Sequence, residues 1–315
     1  MFLKRPWVGA LMAWASLAGV ASADPLPGEV LKFQQLPMVA TPVGGSLYYG
    51  HDELSTAVRS VTGAPTYTGV FMADDFADKV DSDIVHVRWW GSYLHQQQQP
   101  LGVKDFLVAF ESDVPAGPSN PFSRPGDLLS AQILTAGPLA PGSGTFTEKL
   151  LRGPDPVLGE ALYEYNGELK LPFHEAKDTV YWLKIVALVD PARDGALEWG
   201  WHNRDYTVMD PLASTAPAVS PGEFLRATLP SGEPVWHFQD DAVTGGVSVI
   251  LAPGLVVDQS GYTPKNYLSP PDGPSIISEY SKDLAFELYY VPEPGTLALL
   301  AIGAGLLVLR PRRRK

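Results

Sequence analysis

Val180-Tyr181-Trp182-Leu183-Lys184-Ile185-Val186-Ala187-Leu188-Val189 is the stretch whose reading decides the fold class. Tyr181, Leu183, Ile185, Ala187 and Val189 recur every second residue and share one face, while Lys184 interrupts the other. A period of two belongs to a β-strand, whose successive side chains point to opposite faces. Residues 84–93 repeat the pattern, with Val85, Val87 and Trp89 alternating with His86 and Arg88. Residues 106–110, 246–251 and 284–291 are further short apolar runs of the same kind. Between the runs stand breakers: Pro115-Ala116-Gly117-Pro118, Gly137-Pro138, Pro141-Gly142-Ser143-Gly144, Gly153-Pro154 and Pro270-Pro271-Asp272-Gly273-Pro274. They hold 14 of the chain's 30 Gly and 30 Pro. No window of about 15 residues between positions 24 and 290 sustains the 3.6-residue period of a helix. Many short strands joined by Pro- and Gly-rich connections predict a mainly β protein, an antiparallel β-sandwich of jelly-roll or Ig-like type. No internal repeat or composition break divides residues 24–290, so they are expected to form a single ectodomain. The glutamine tract 96–99 and the Ala-, Ser-, Thr- and Pro-rich segment 211–221 read as loops.

The 315 residues are 45% hydrophobic, enough to bury a core, and contain no cysteine. A disulfide scaffold, a thiolate zinc site and a cysteine nucleophile are therefore excluded. The formal net charge is −12, with 23 basic residues against 35 acidic ones. Nucleic acid is not expected as a partner, because neutralising phosphates requires clustered Lys and Arg.

The two ends read differently from the middle. Lys4 and Arg5 precede an apolar run, residues 7–20, which closes on Ala21-Ser22-Ala23 before Asp24. A short basic segment, a short apolar segment and small residues at Ala21 and Ala23 are what signal peptidase requires, so residues 1–23 read as a cleaved signal peptide. At the other end, Pro292-Glu293-Pro294 is followed by the uncharged segment 295–309 and then by Arg310-Pro311-Arg312-Arg313-Arg314-Lys315. As a helix, 295–309 reaches only about 22 Å, short of a hydrocarbon core of ~30 Å. It would make a strained anchor, and the basic tail 310–315 would hold it with the preceding domain outside the cytoplasm.

This order of motif, short transmembrane stretch and Arg-rich end closely resembles the PEP-CTERM sorting signal of Gram-negative bacteria. The resemblance implies that residues 291–315 are read and processed by an exosortase, with transient inner-membrane anchoring. On that reading Pro292, Glu293 and Pro294 are substrate residues for another enzyme. It also implies a destination at the cell surface or in an exopolysaccharide-rich matrix. Once both ends are set aside, 16 of the 23 basic residues and 34 of the 35 acidic ones remain, leaving the middle near −18. Every basic cluster belonged to the addressing segments.

The middle carries a second resemblance. Ala73-Asp74-Asp75-Phe76, Val87-Arg88-Trp89-Trp90-Gly91-Ser92-Tyr93, Tyr181-Trp182-Leu183, Trp199-Gly200-Trp201 and Asp240-Asp241-Ala242 look like landmarks of an uncharacterised extracellular β-domain of exported bacterial proteins. That family supplies no catalytic residues to carry over.

Candidate chemistry is sparse. The acidic run from Asp74 through Asp75, Asp78 and Asp81 to Asp83 has the oxygen donors of a calcium loop, and Asp240-Asp241 could complete it in space. It lacks the spacing and the turn glycine of a calcium hand, and a solvated acidic turn explains it more simply. Trp199 and Trp201 share one face of a strand and could form a two-ring platform for sugar rings, although core packing explains the same residues. The six histidines are scattered, without paired ligand spacing, and no serine sits in a nucleophile-elbow context. No pair among the 34 acids stands out as a glycosidase pair. The sequence thus predicts an exported protein that is not an enzyme and has no cofactor beyond a candidate calcium ion. Its expected role is structural or adhesive in the envelope or biofilm, with a carbohydrate-binding module as the alternative and a secreted hydrolase as the second alternative.

Overall fold

The computed structural model describes residues 25–293, except 40, 44–45, 49, 61–64, 96–100, 121, 155–160, 206, 210–222, 229–233, 239–240 and 265–282. The signal peptide with Ala21 and Ala23, the glutamine tract, the 211–221 loop, Asp240, Pro294, the 295–309 segment and the basic tail lie outside the described residues.

The strands, in chain order, begin with β1 (Val30–Gln35), β2 (Thr41–Val43), β3 (Ser46–Tyr48), β4 (Asp52–Leu54), β5 (Thr56–Arg59) and β6 (Thr66–Phe76). Next come β7 (Ser82–Tyr93), β8 (Asp105–Val114), β9 (Arg124–Ala136), β10 (Thr145–Arg152), β11 (Leu162–Glu175) and β12 (Tyr181–Val189). A four-residue helix, α1 (Pro191–Asp194), separates these from β13 (Trp199–His202), β14 (Glu223–Thr228), β15 (Pro234–Phe238), β16 (Val243–Ile250), β17 (Val256–Pro264) and β18 (Phe286–Tyr290). Among the described residues α1 is the only helix, and none is long and apolar enough to cross a membrane.

Fourteen strands form one sheet in the order β1-β18-β7-β11-β10-β9-β8-β12-β5-β6-β16-β17, with β13 joined to β7 and to β4. The β2–β3 and β14–β15 hairpins stand apart. Most pairs are antiparallel, but β12 runs parallel to β5 through Ala187↔Thr56 to Val189↔Val58, and β9 touches β10 in parallel. The sheet is therefore mixed, where the sequence predicted an antiparallel one. Strand β12 pairs with β6 over Tyr181–Ile185 and with β5 beyond it, so β5 wedges between β12 and β6 at one end. Such a fork depends on residues distant in sequence, and no local pattern announces it.

Side chains meet across the sheet on both of its faces. On one face, Phe33, Phe76, Val87, Trp89, Phe106, Leu183, Ile185, Trp199, Trp201 and Phe286 belong to one buried cluster. Strands β7 and β18 thus pack over β6, β8 and β12. The Trp89 and Phe106 rings lie 5.2 Å apart at 78°, and Phe76 meets Phe286 at 6.3 Å and 80°. Edge-on aromatic pairs of this kind contribute about 0.5–1.5 kcal/mol beyond their buried area. On the other face Phe71, Leu107, Trp182, Val186, Leu188 and Val247 form a second cluster, against which Tyr262 and Val257 of β17 pack. Strand β12 therefore contributes alternate residues to two cores, as its period of two requires.

Several local expectations change. Trp89 and Val87 face the core, but Val85 is only half-buried and Ile84 takes its place. The β18 register steps from Tyr289↔His86 to Tyr290↔Ile84, so Val85 is the extra residue of a bulge that reverses the alternation. Asp74 and Asp75 are not in a solvated turn: they end β6 and are 0% and 1% exposed. Strand β11 runs through Pro172 because its pairing with β7 slips between Glu168 and Phe173. There the Gln132 side chain replaces a neighbouring strand and accepts from the Lys170 and Leu171 N–H groups at 2.7 and 3.2 Å.

Candidate functional site

The polar residues of β7, β11 and β18 stand in register on the face turned away from the first core. Arg88 lies between Asn166 of β11 and Glu287 of β18, and His86 between Glu168 and Tyr289. Strand pairing alone thus sets up two cross-strand rows. Arg88 donates through Nε to Asn166 Oδ1 at 2.8 Å and through Nη1 to Glu287 Oε2 at 2.8 Å. Its guanidinium also lies 5.3 Å from the centre of the Tyr289 ring. Asn166 Nδ2 donates to Glu164 at 3.1 Å, and Gln34 of β1 donates to Glu287 Oε1 at 3.0 Å. In the second row His86 Nδ1 lies 2.8 Å from Glu168 Oε1 and 3.1 Å from Glu29 Oε2. Burial opposes charge on the His86 ring, but the two carboxylates outweigh it and raise its pKa. Burial raises Glu168, whereas at Glu29 the neighbouring His86 outweighs burial and lowers the pKa.

Beside Arg88 this face opens into a cavity of about 470 Å³, lined by Leu36, Val39, Trp90, Leu151 and Arg152 among others. Glu164 and Glu287 reach it as well, so an apolar floor carries charges of both signs. The Trp90 ring is 3% exposed, and its indole N–H has no hydrogen-bond partner among the described residues.

The residues singled out by sequence have other surroundings. Trp199 and Trp201 are both 0% exposed. Trp199 Nε1 donates to Tyr165 Oη at 3.1 Å and Trp201 Nε1 to the Ala285 carbonyl at 2.8 Å. Strand β13 has both faces covered, so neither ring offers a face to a sugar and the proposed platform is corrected to core packing. The calcium candidates do not converge. Asp74 accepts from the Leu284 N–H at 2.6 Å; burial and the nearby Asp283 push its pKa well up. Asp75, its neighbour in a strand, points to the opposite face. Asp78 lies 3.6 Å from Lys32, which pairs with Glu175 at 2.7 Å. Among the described residues, the His, Asp and Glu side chains close enough to share an ion are instead Glu29, His86 and Glu168. Sequence reasoning missed them because they lie 57 and 82 positions apart, as the numbering shows. The only local signal was a histidine at an alternating polar position of a strand.

Past β18, Val291 and Glu293 are exposed while Pro292 is buried. Pro292 and Glu293 border a cavity of about 500 Å³ shared with Val80, Asp83 and His174.

The last core strand of this large mixed-sheet β-domain, β18, runs directly into Val291-Pro292-Glu293. The family model described as a domain of unknown function (DUF7901) matches residues 31–288, and the chain belongs to that family. The PEP-CTERM protein-sorting motif matches residues 291–314, so the chain carries the signal through which exosortases process their substrates. No curated protein and no solved structure matches the chain.

Proposed function

We propose that the chain is a structural or adhesive protein of the cell surface or extracellular matrix, delivered there by exosortase processing. Residues 1–23 serve as a signal peptide cut by signal peptidase, 24–290 as one β-sandwich ectodomain, and 291–315 as the sorting signal with a short transmembrane helix at 295–309. The observation that carries the reading is the placement of the sorting motif: Pro292 follows Tyr290 of β18 by two positions, and β18 lies between β1 and β7 in the sheet. Processing there delivers the whole folded body with almost no linker. The packing of β7 and β18 over β6, β8 and β12 supports the sandwich. A non-enzymatic role is supported by the way buried charges neutralise each other, as in Lys184–Glu111 at 2.6 Å. Mass spectrometry of the protein recovered from the cell envelope tests the processing: the segment beyond Pro294 is expected to be absent, and an intact Lys315 would refute it.

The cavity beside Arg88 favours a second reading, carbohydrate binding. Sugars present apolar C–H faces together with hydroxyl groups, and an apolar floor with charged groups at its margin meets both demands. The wild-type chain is expected to retain an extracellular polysaccharide on a glycan array, and an Arg152→Glu, Leu36→Glu variant to lose it. Equal signals from the two would remove this reading and leave the structural one standing.

A further inference from the structure

We propose that Glu29, His86 and Glu168 form a binding site for a divalent transition-metal ion of zinc's class. Their donor atoms all lie within 4.8 Å of one another. The His86 and Glu168 side chains are 0% and 1% exposed, and that of Glu29 is 4% exposed. Ligands held at ~2.0–2.1 Å around a tetrahedral zinc ion are about 3.4 Å apart. The observed separations of 2.8 and 3.1 Å from Nδ1 to the two carboxylates need to open by only a few tenths of an ångström.

The state of the imidazole follows from its far side. Nε2 lies 3.3 Å from Asn166 Oδ1. That amide has its orientation set by two other contacts: Arg88 Nε, a group that can only donate, reaches Oδ1, and Nδ2 donates to Glu164. Nε2 therefore faces an acceptor and carries the hydrogen. In the neutral ring Nδ1 is then a lone pair aimed at two carboxylate oxygens, and three electron-rich atoms converge on one point. Only a cation satisfies that point: a proton in the metal-free protein, or a metal ion that displaces it.

The supporting contacts are those of a metal centre. An imidazole ligand held through its other nitrogen has its ring plane and tautomer fixed in advance, and Asn166 does this here. The Leu26 N–H donates to Glu29 Oε2 at 2.8 Å and steadies that carboxylate. The Tyr289 ring packs at 63° against the imidazole, with centroids 5.1 Å apart, and forms one wall. One nitrogen and two carboxylate oxygens suit zinc-class ions, and two carboxylates balance the ion's charge. Such an ion would tie the segment before β1 to β7 and β11 in a domain that has no disulfides.

The test uses the full-length chain in detergent, stripped with a chelator and titrated with ZnCl2 by calorimetry, with CaCl2 as a parallel arm. One equivalent of zinc is expected to bind, to raise the melting temperature, and to bind at least tenfold more weakly to a Glu29→Gln variant. Glu29 precedes β1, so this variant leaves the sheet pairing intact, and circular dichroism checks that it folds. His174, 65% exposed beside Asp81 and Asp83, is a competing surface site, so a His174→Ala variant is titrated alongside. Zinc binding that survives Glu29→Gln or disappears in His174→Ala would overturn the proposal, as would a folded wild-type chain that takes up no zinc or prefers calcium.

Discussion

Replacing Ser55 by alanine removes one oxygen atom at the fork where β5 enters between β12 and β6. Ser55 is fully buried, and its hydroxyl donates to the Ile185 carbonyl at 2.5 Å and accepts from the Met72 N–H at 2.9 Å. The side chain thus stands in for the ladder bond that the diverging strands cannot make. Alanine fits the same space, so no clash arises and the hydroxyl contacts alone are lost. A buried N–H left without a partner costs about 1–3 kcal/mol, and the second lost bond adds about 0.5–1.5 kcal/mol. The expected loss is therefore about 3 kcal/mol. In a domain of this size 1 kcal/mol shifts the melting temperature by roughly 2–4 °C, so the variant should melt about 6–12 °C lower. Urea unfolding followed by tryptophan fluorescence measures the free energy directly, with Thr68→Ala, an exposed hydroxyl on neighbouring β6, as the control expected to stay within about 0.5 kcal/mol. A Ser55→Ala midpoint equal to that of the control, at unchanged slope, would refute the view that this hydroxyl completes the forked ladder.

Lys184 and Glu111 are both buried, and the ammonium also lies 4.0 Å from the Phe71 ring. Lys184→Met alone should cost about 3–5 kcal/mol by stranding a carboxylate, while Lys184→Met with Glu111→Leu should recover most of it; denaturant midpoints of the three chains decide. Glu175 is pushed up to about 8 by burial and by neighbouring Asp78, against the pull of Lys32. Because its folded pKa lies above its unfolded value, the protonated group contributes stability that is fully present below about pH 4.5 and is lost as pH rises through about 8. Melting temperatures measured from pH 5 to 9 should therefore show a fall that Glu175→Gln reduces, and an identical profile in the variant would contradict the assignment. Gly91 has room for no side chain: a Cβ there would lie 2.3 Å from the Gly200 carbonyl oxygen. Gly91→Ala must push β13 off β7, and a loss of at least about 2 kcal/mol is expected in the same unfolding assay.

How much was legible depends on the range of the interaction responsible. The strands at 84–93, 106–110, 180–189, 246–251 and 284–291 were readable because each buries a face through its own alternation. Strands β9 and β11 were not, because each carries a proline and charged residues, Pro125 and Pro172 among them, and is held by neighbours rather than by its own apolar pattern. The paired glycines and tryptophans, Trp89-Trp90-Gly91 and Trp199-Gly200-Trp201, were visible as landmarks. Their reason is spatial: β13 pairs with β7 so closely that Gly91 lies against the Trp199 ring, which turns a suspected sugar platform into core. The cluster of Glu29, His86 and Glu168 had no signature, since its members meet only through the β7–β11 register and the path of the chain into β1.

The sequence by itself determined the sorting signal and the β-rich class of the fold. A sorting signal is read as a linear string by another enzyme, and a strand announces itself in a period of two, so both survive without knowledge of the fold. Tertiary structure alone decided which strands run parallel, which polar groups are buried together, and that Trp199 and Trp201 turn no face to solvent. Those outcomes depend on pairings between residues tens to hundreds of positions apart, and a chain read one window at a time does not carry them.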